Sequence, residues 1–351
     1  MRITDLSLER YDLQLTEPYT IAYETISTST NFILRLKTDN AAIEGFGCAA
    51  PDIPVTHESP KDIEDIFENV LVPSLKGADS FHFTQIVHQL KESKLLKSSA
   101  LNMVDMALFD VVSKIAGVPL YRYLGAFRKR IPTSVTIGIL PLKETLQKAE
   151  EFVEQGFYIL KIKGGLDVEE DIGKLTAIKK KYPSIILRFD GNQGYTLEET
   201  IYFASKVETL NVEIIEQPMT TSEEENYTTL SATISQAVMA DESLKTLNDT
   251  FLLAKNSRVN MINIKLMKVG GLQEGFHINS VAKSAGYDVM VGCLDECQLG
   301  ISAGLHFALS RPNIEYADLD SFLDFKNDPY PNLFHLKNGV LYPSEKAGLG
   351  I

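Results

Sequence analysis

From residue 134 onward, short β-rich runs return every 23 to 28 residues, and that rhythm leaves the chain few folds to adopt. The runs are SVTIGI (134–139), YILKIK (158–163), IILRFD (185–190), VEIIEQ (212–217), AVMAD (237–241), NMINIK (260–265), DVMVGC (288–293) and IEYADLD (314–320). Between them lie segments with helical patterning, such as KETLQKAEEFVEQGF and GLQEGFHINSVAKSAG. A strand, a helix and two short loops take about 25 residues at ordinary lengths. Strands alternating with helices pair in parallel, because each crossover carries the chain back to the same edge. An open doubly wound sheet and a closed barrel both satisfy this. The even spacing, the count of eight and the lack of GxGxxG after any strand favour the barrel. The expected fold is α/β, a modified TIM barrel of (β/α)7β form, over residues 126–320.

Residues 1–125 follow another pattern. Strand-like stretches (RITDLSLERYDLQL, NFILRLKTD, AAIEGFGCAA) precede helical ones (PKDIEDIFENVLVPSLKG, SSALNMVDMALFDVVSKIAG), which indicates an α+β capping domain. The segment 321–351 carries a short strand pair and turns, and is expected to return to the capping domain and complete it.

Composition removes several functions. A net charge of −13 opposes a nucleic-acid partner, which would need clustered Lys and Arg. Cys48, Cys293 and Cys297 are too few and too poorly accompanied for a disulfide framework or a zinc site, and fit a reducing compartment. The N-terminus has no apolar signal-peptide core, and no stretch reaches about 18 apolar residues. A cytoplasmic protein with no membrane partner is expected. The sequence leaves a homo-oligomer open.

In a parallel barrel, chemistry gathers at the C-terminal ends of the strands. Those ends carry Lys161 and Lys163, Asp190, Glu216, Asp241, Lys265, and Asp318 with Asp320. One strand-terminal charge is an ordinary solvated rim group. Successive strands each ending in a charge point instead to a shared pocket. Asp190, Glu216 and Asp241 come from three consecutive strands, and like charges converging there call for a cation; carboxylate oxygens suit Mg²⁺. Lys163 ends the second strand and Lys265 the sixth, so they face each other across an eight-membered ring. A bound divalent cation and partial burial both push a lysine toward its neutral, basic form. Two opposed bases can remove a proton from one face of a carbon and return it to the other. None of the six histidines ends a predicted barrel strand, and no GxSxG occurs.

The motifs KIK (161–163), DGNQGY (190–195), EQP (216–218), ADES (240–243) and IKLMKVGG (264–271) together resemble the enolase superfamily, in its muconate lactonising enzyme-like subgroup. The resemblance spans nearly the whole chain. It implies an acid/base pair of Lys163 and Lys265, a Lys161 that supports a substrate carboxylate, and Mg²⁺ on Asp190, Glu216 and Asp241. The subgroup also holds N-acylamino acid racemases, o-succinylbenzoate synthases and muconate cycloisomerases, so the core residues define a half-reaction and leave the substrate open. The D-x-D of Asp318 and Asp320 is similar to that of dipeptide epimerases, whose two carboxylates hold the substrate α-ammonium. Charge agrees, because two aligned carboxylates in a partly dry pocket need a cation. The implied activity is an isomerase inverting the Cα of a dipeptide's C-terminal residue through an enediolate. A non-catalytic carboxylate- or peptide-binding protein would need neither opposed lysine. The family's L-Ala-D/L-Glu epimerases place an arginine in the loop near residue 20, where this chain has Glu24. With Asp52 and Asp295, Glu24 would suit a Lys- or Arg-containing dipeptide, with a hydrophobic dipeptide as the alternative.

Overall fold

In the computed structural model, which describes residues 1–22, 25–256 and 258–351, the first strands are β1 (Ile3–Thr20), β2 (Thr25–Thr38) and β3 (Glu44–Ala49). They form an antiparallel sheet in the order β1-β2-β3, with a break in register between Gln14 and Tyr19. The sheet packs on a helix, Ser98–Ile115, that is buried over most of its length. Gly45 and Gly47 make this contact possible: a Cβ at Gly47 would lie 1.8 Å from the Met103 carbonyl oxygen. The start of that helix would leave free N–H groups inside the protein. Buried Glu58 accepts from Ser99 N at 2.9 Å and Ala100 N at 3.2 Å.

A short strand, β4 (Ile131–Pro132), leads into eight parallel strands. They are β5 (Val135–Ile137), β6 (Ile159–Lys163), β7 (Ile186–Asp190), β8 (Val212–Glu216), β9 (Ala237–Ala240), β10 (Met261–Lys265), β11 (Asp288–Gly292) and β12 (Ile314–Asp318). Each neighbours the next in sequence order, and Ser134 N donates to Ala317 O at 3.1 Å between the two outermost strands. The result is a nearly closed barrel with helices between successive strands, built from apolar runs buried on both faces.

Register decides which strand ends stand level. Lys163 pairs with Asp190, and Asp190 with Glu216. On the far side Lys265 pairs with Gly292, and Gly292 with Asp318. The last strands, β13 (Phe334–Lys337) and β14 (Val340–Pro343), form a hairpin whose second strand pairs with β4. Flanking segments reach the N-terminal part of the chain: Thr16 N donates to Asp324 O, Lys326 N to Gln14 O, and Leu349 N to the Asp110 carboxylate. Among the described residues no helix is long and apolar enough to cross a membrane.

Candidate active site

A cavity of about 1190 Å³ opens at the C-terminal ends of the strands, walled on one side by the barrel and on the other by β1 and the loop after β3. Lys161, Lys163, Asp241, Lys265, Asp318 and Asp320 all line it, together with Asp52 and Asp295. Asp190 and Glu216 lie beneath, fully buried. Glu24 falls outside the described residues.

Lys161 sits at the centre of the floor. Its Nζ lies 3.0 Å from Asp190, 2.7 Å from Glu216 and 2.8 Å from Asp318. Strand alternation explains this: Lys161 and Lys163 share a face of β6, one pleat apart, so the lower lysine reaches the acids of several strands. Lys163 bonds Asp190 at 2.8 Å, and Lys265 bonds Asp241 at 2.8 Å. β6 and β10 are the second and sixth of the eight strands, which places these lysines on opposite sides of the mouth.

The charges are tuned by neighbours and burial. Burial works against the Lys265 ammonium, but the Asp241 charge and hydrogen bond outweigh it and hold its pKa above the ordinary value. A cation held by Asp241 would take up that charge and, with burial, act in the opposite direction on Lys265. Burial likewise opposes the Asp318 carboxylate, yet Lys161 and the Ser134 hydroxyl at 2.6 Å bring its pKa down to about 2. Asp320 behaves differently. Burial, then the Asp318 charge, push its carboxyl up to about 7, against the pull of Thr136, whose backbone N donates to it at 2.6 Å. The DxD thus contains one acid already matched by a lysine and one that is not.

Among the described residues, no three acid, histidine or cysteine side chains already enclose a point where a cation would sit; lysine ammonium groups stand between the acids. The donor set nevertheless fits Mg²⁺. Asp190, Glu216 and Asp241 are all-oxygen donors from neighbouring strands, and two further oxygens beside them, Asn192 Oδ1 and Glu242 Oε2, are buried without a partner. Burial and then the Asp241 charge push the Glu242 carboxyl up to about 7. Unpaired buried oxygens among carboxylates are what a hard divalent cation satisfies.

Four residues of the site were not singled out by the sequence reading, although Glu242 stands within ADES and Lys268 within IKLMKVGG. Lys268, buried three residues after Lys265, donates to the Asp241 carboxylate at 2.5 Å. Glu242 adjoins Asp241. Tyr19, on β1, donates to both oxygens of Asp295, at 2.8 and 2.9 Å. Asp324 lines the cavity four residues beyond Asp320, and burial followed by the charges of Asp320 and Asp295 pushes its carboxyl up to about 8. Lys268 stood within IKLMKVGG and Asp324 within reach of the DxD, which were the available signals. Asp52, half-buried, caps the turn Ile53–Thr56 and keeps its carboxylate at the cavity edge.

Residues 5–125 match the family described as mandelate racemase / muconate lactonizing enzyme, N-terminal domain, and residues 144–351 match enolase C-terminal domain-like. An L-Lys-D/L-Arg epimerase of Desulforapulum autotrophicum is 40% identical, covering 100% of this chain and 99% of its own. An L-Ala-D/L-Glu epimerase of Bacillus subtilis is 34% identical, covering 100% and 97%. The crystal structure of a dipeptide epimerase from Methylococcus capsulatus, complexed with Mg and L-Arg-D-Lys, superposes with a TM-score of 0.96. It is 35% identical and covers 100% of this chain and 99% of that one.

Proposed function

Because the chain belongs to the enolase-like mandelate racemase / muconate lactonizing enzyme family, we propose that it is a Mg²⁺-dependent dipeptide epimerase acting on the Cα of the C-terminal residue. The observation that carries this reading is the pair Lys163 and Lys265 on opposed strands, in one cavity with an acid pair that includes an unneutralised carboxylate. One lysine takes the α-proton from one face and the other delivers a proton to the opposite face, so configuration inverts. The electron pair left on Cα moves into the adjoining carboxylate as an enediolate, and Lys161 lies below to balance that charge. Asp320, with Asp318 beside it, receives the free α-ammonium. An N-acylamino acid or an unsaturated diacid offers no such cation, which separates this reading from other activities of the subgroup.

Asp190, Glu216 and Asp241 would hold Mg²⁺, with Asn192 and Glu242 adjoining. Bound there, the ion would stabilise charge developing on the substrate carboxylate and compete with the lysines for the acids. The protein supplies the rest: a cavity walled by β1 on its outer side, and two fixed proton carriers.

Asp52, Asp295 and Asp324 along the outer wall support a substrate with a cationic side chain, and Glu24 adds to the same count by sequence. The Desulforapulum relative, named for Lys and Arg, supports the same preference. The test is a mass-spectrometric screen of L,L-dipeptides in D₂O with Mg²⁺. Deuterium at the C-terminal Cα, lost in Lys163→Ala and Lys265→Ala, is the expected result. No exchange in a folded, metal-loaded protein removes the reading, and Ala-Glu turning over faster than every Lys- or Arg-containing peptide removes the cationic preference.

A further inference from the structure

The Tyr19 hydroxyl lies almost equally far from the two Asp295 oxygens, at 2.8 and 2.9 Å. Equal distances place it near the bisector of the carboxylate, in front of the lone pairs that face each other between the oxygens. The arrangement is held from several directions. Ser29 Oγ and Asn31 Nδ2 bond the Asp295 carbonyl at 2.8 and 2.9 Å, and Cys297 N donates to Asn31 Oδ1 at 2.9 Å. Tyr19 is seated against Gly138, where a Cβ would come within 3.1 Å of its own, and Ile139 N bonds the next carbonyl, Thr20 O, at 2.8 Å. Both residues line the cavity that contains Lys163 and Lys265. No cationic side chain pairs with Asp295 among the described residues, so its charge is open to a substrate.

A carboxylate offers about four lone-pair sites. The fork of a guanidinium needs the two that face each other, whereas an ammonium, a compact charge with rotatable donors, can bond through one outer site. Tyr19 stands where the fork would go.

We propose that Tyr19 is a positioning residue for specificity: by occupying the bisector of Asp295 it makes this carboxylate accept the ammonium of a lysine side chain in preference to the guanidinium of arginine. The inference rests on the dipeptide epimerase reading and deepens it.

The experiment measures kcat/KM with Mg²⁺ for L-Lys-L-Ala, L-Arg-L-Ala, L-Ala-L-Lys and L-Ala-L-Arg, in the wild type and in Tyr19→Phe. At whichever substrate position faces Asp295, the wild type should favour Lys over Arg by about tenfold, the worth of one charge-assisted hydrogen bond. Tyr19→Phe should bring that ratio to one or below, with the Arg substrate gaining on the Lys substrate. A wild type without Lys preference at either position overturns the proposal. So does a variant whose Lys:Arg ratio is unchanged, as when both substrates lose activity equally through a merely structural role. Should Tyr19→Phe fail to fold, Asp295→Asn gives the same decision: loss of the Lys preference supports the proposal and its persistence overturns it. Absence of α-deuterium exchange with all four peptides, while other L,L-dipeptides exchange, overturns this inference alone; absence of exchange with every dipeptide removes the dipeptide reading and this inference with it.

Discussion

Replacing Asp324 with asparagine should make the metal- and substrate-free protein more stable, and increasingly so as pH rises. The Asp324 carboxyl is half-buried and no side chain donates to it among the described residues; only its backbone is engaged, by Thr16 N and Ser321 O. Burial first, then Asp320 and Asp295, raise its pKa from 3.8 to about 8, against a smaller pull from Lys148. A raised carboxyl binds its proton more tightly in the folded chain than in the unfolded one. Its contribution to stability is therefore full below the unfolded value and is lost as pH climbs through the folded value. At 1.36 kcal/mol per pH unit, the loss between pH 5 and pH 8 is about 3–4 kcal/mol. Water at the cavity mouth screens part of this, leaving about 2–3 kcal/mol. An asparagine side chain cannot ionise and escapes the loss, so the advantage of Asp324→Asn should grow by that amount, or by about 4–6 °C in Tm at about 2 °C per kcal/mol. Urea and thermal unfolding at pH 5 and pH 8, without Mg²⁺, provide the assay. A constant offset at the two pH values, or a variant that loses ground as pH rises, would refute the reasoning.

Chelation should abolish α-proton exchange and added Mg²⁺ should restore it; exchange that survives complete metal removal, checked by elemental analysis, contradicts the assignment of Asp190, Glu216 and Asp241. Lys161→Met leaves three buried acids without their shared ammonium, which should cost the metal-free protein about 3–5 kcal/mol, and Mg²⁺ should recover part of that in thermal scans. Equal Tm values for variant and wild type without metal would count against the central place given to Lys161. Gly47→Ala drives a methyl into the Met103 carbonyl and should destabilise by more than about 3 kcal/mol; near wild-type urea unfolding would show that β3 can shift away from the helix at little cost.

Much of the candidate site's floor was legible in the sequence. Barrel strands are buried on both faces, so a charge at the end of an apolar run stands out, and the parallel ladder then carries Lys163, Asp190 and Glu216 to one level. The three-residue strand β5 and the strand ends at Asp190, Glu216 and Lys265 all fall within the runs that the 23- to 28-residue rhythm marked. The pairing of charges was less accessible. Lys161 reaches three acids at once because the barrel curves them around it, and the two members of the DxD differ because Asp318 meets Lys161 while Asp320 does not.

Sequence by itself determined the strand rhythm, the ring of terminal charges and the opposition of the two lysines, because these follow from a two-residue side-chain period and an eightfold closure. Only the tertiary structure decided which acids remain unneutralised at the outer wall. Tyr19 and Asp295 stand 276 positions apart along the chain, and Asp324 owes its raised pKa first to burial and then to the charges of its neighbour Asp320 and of Asp295 from the loop after β11. Burial and charge are properties of the space around a group, and the chain creates that space only by folding back on itself.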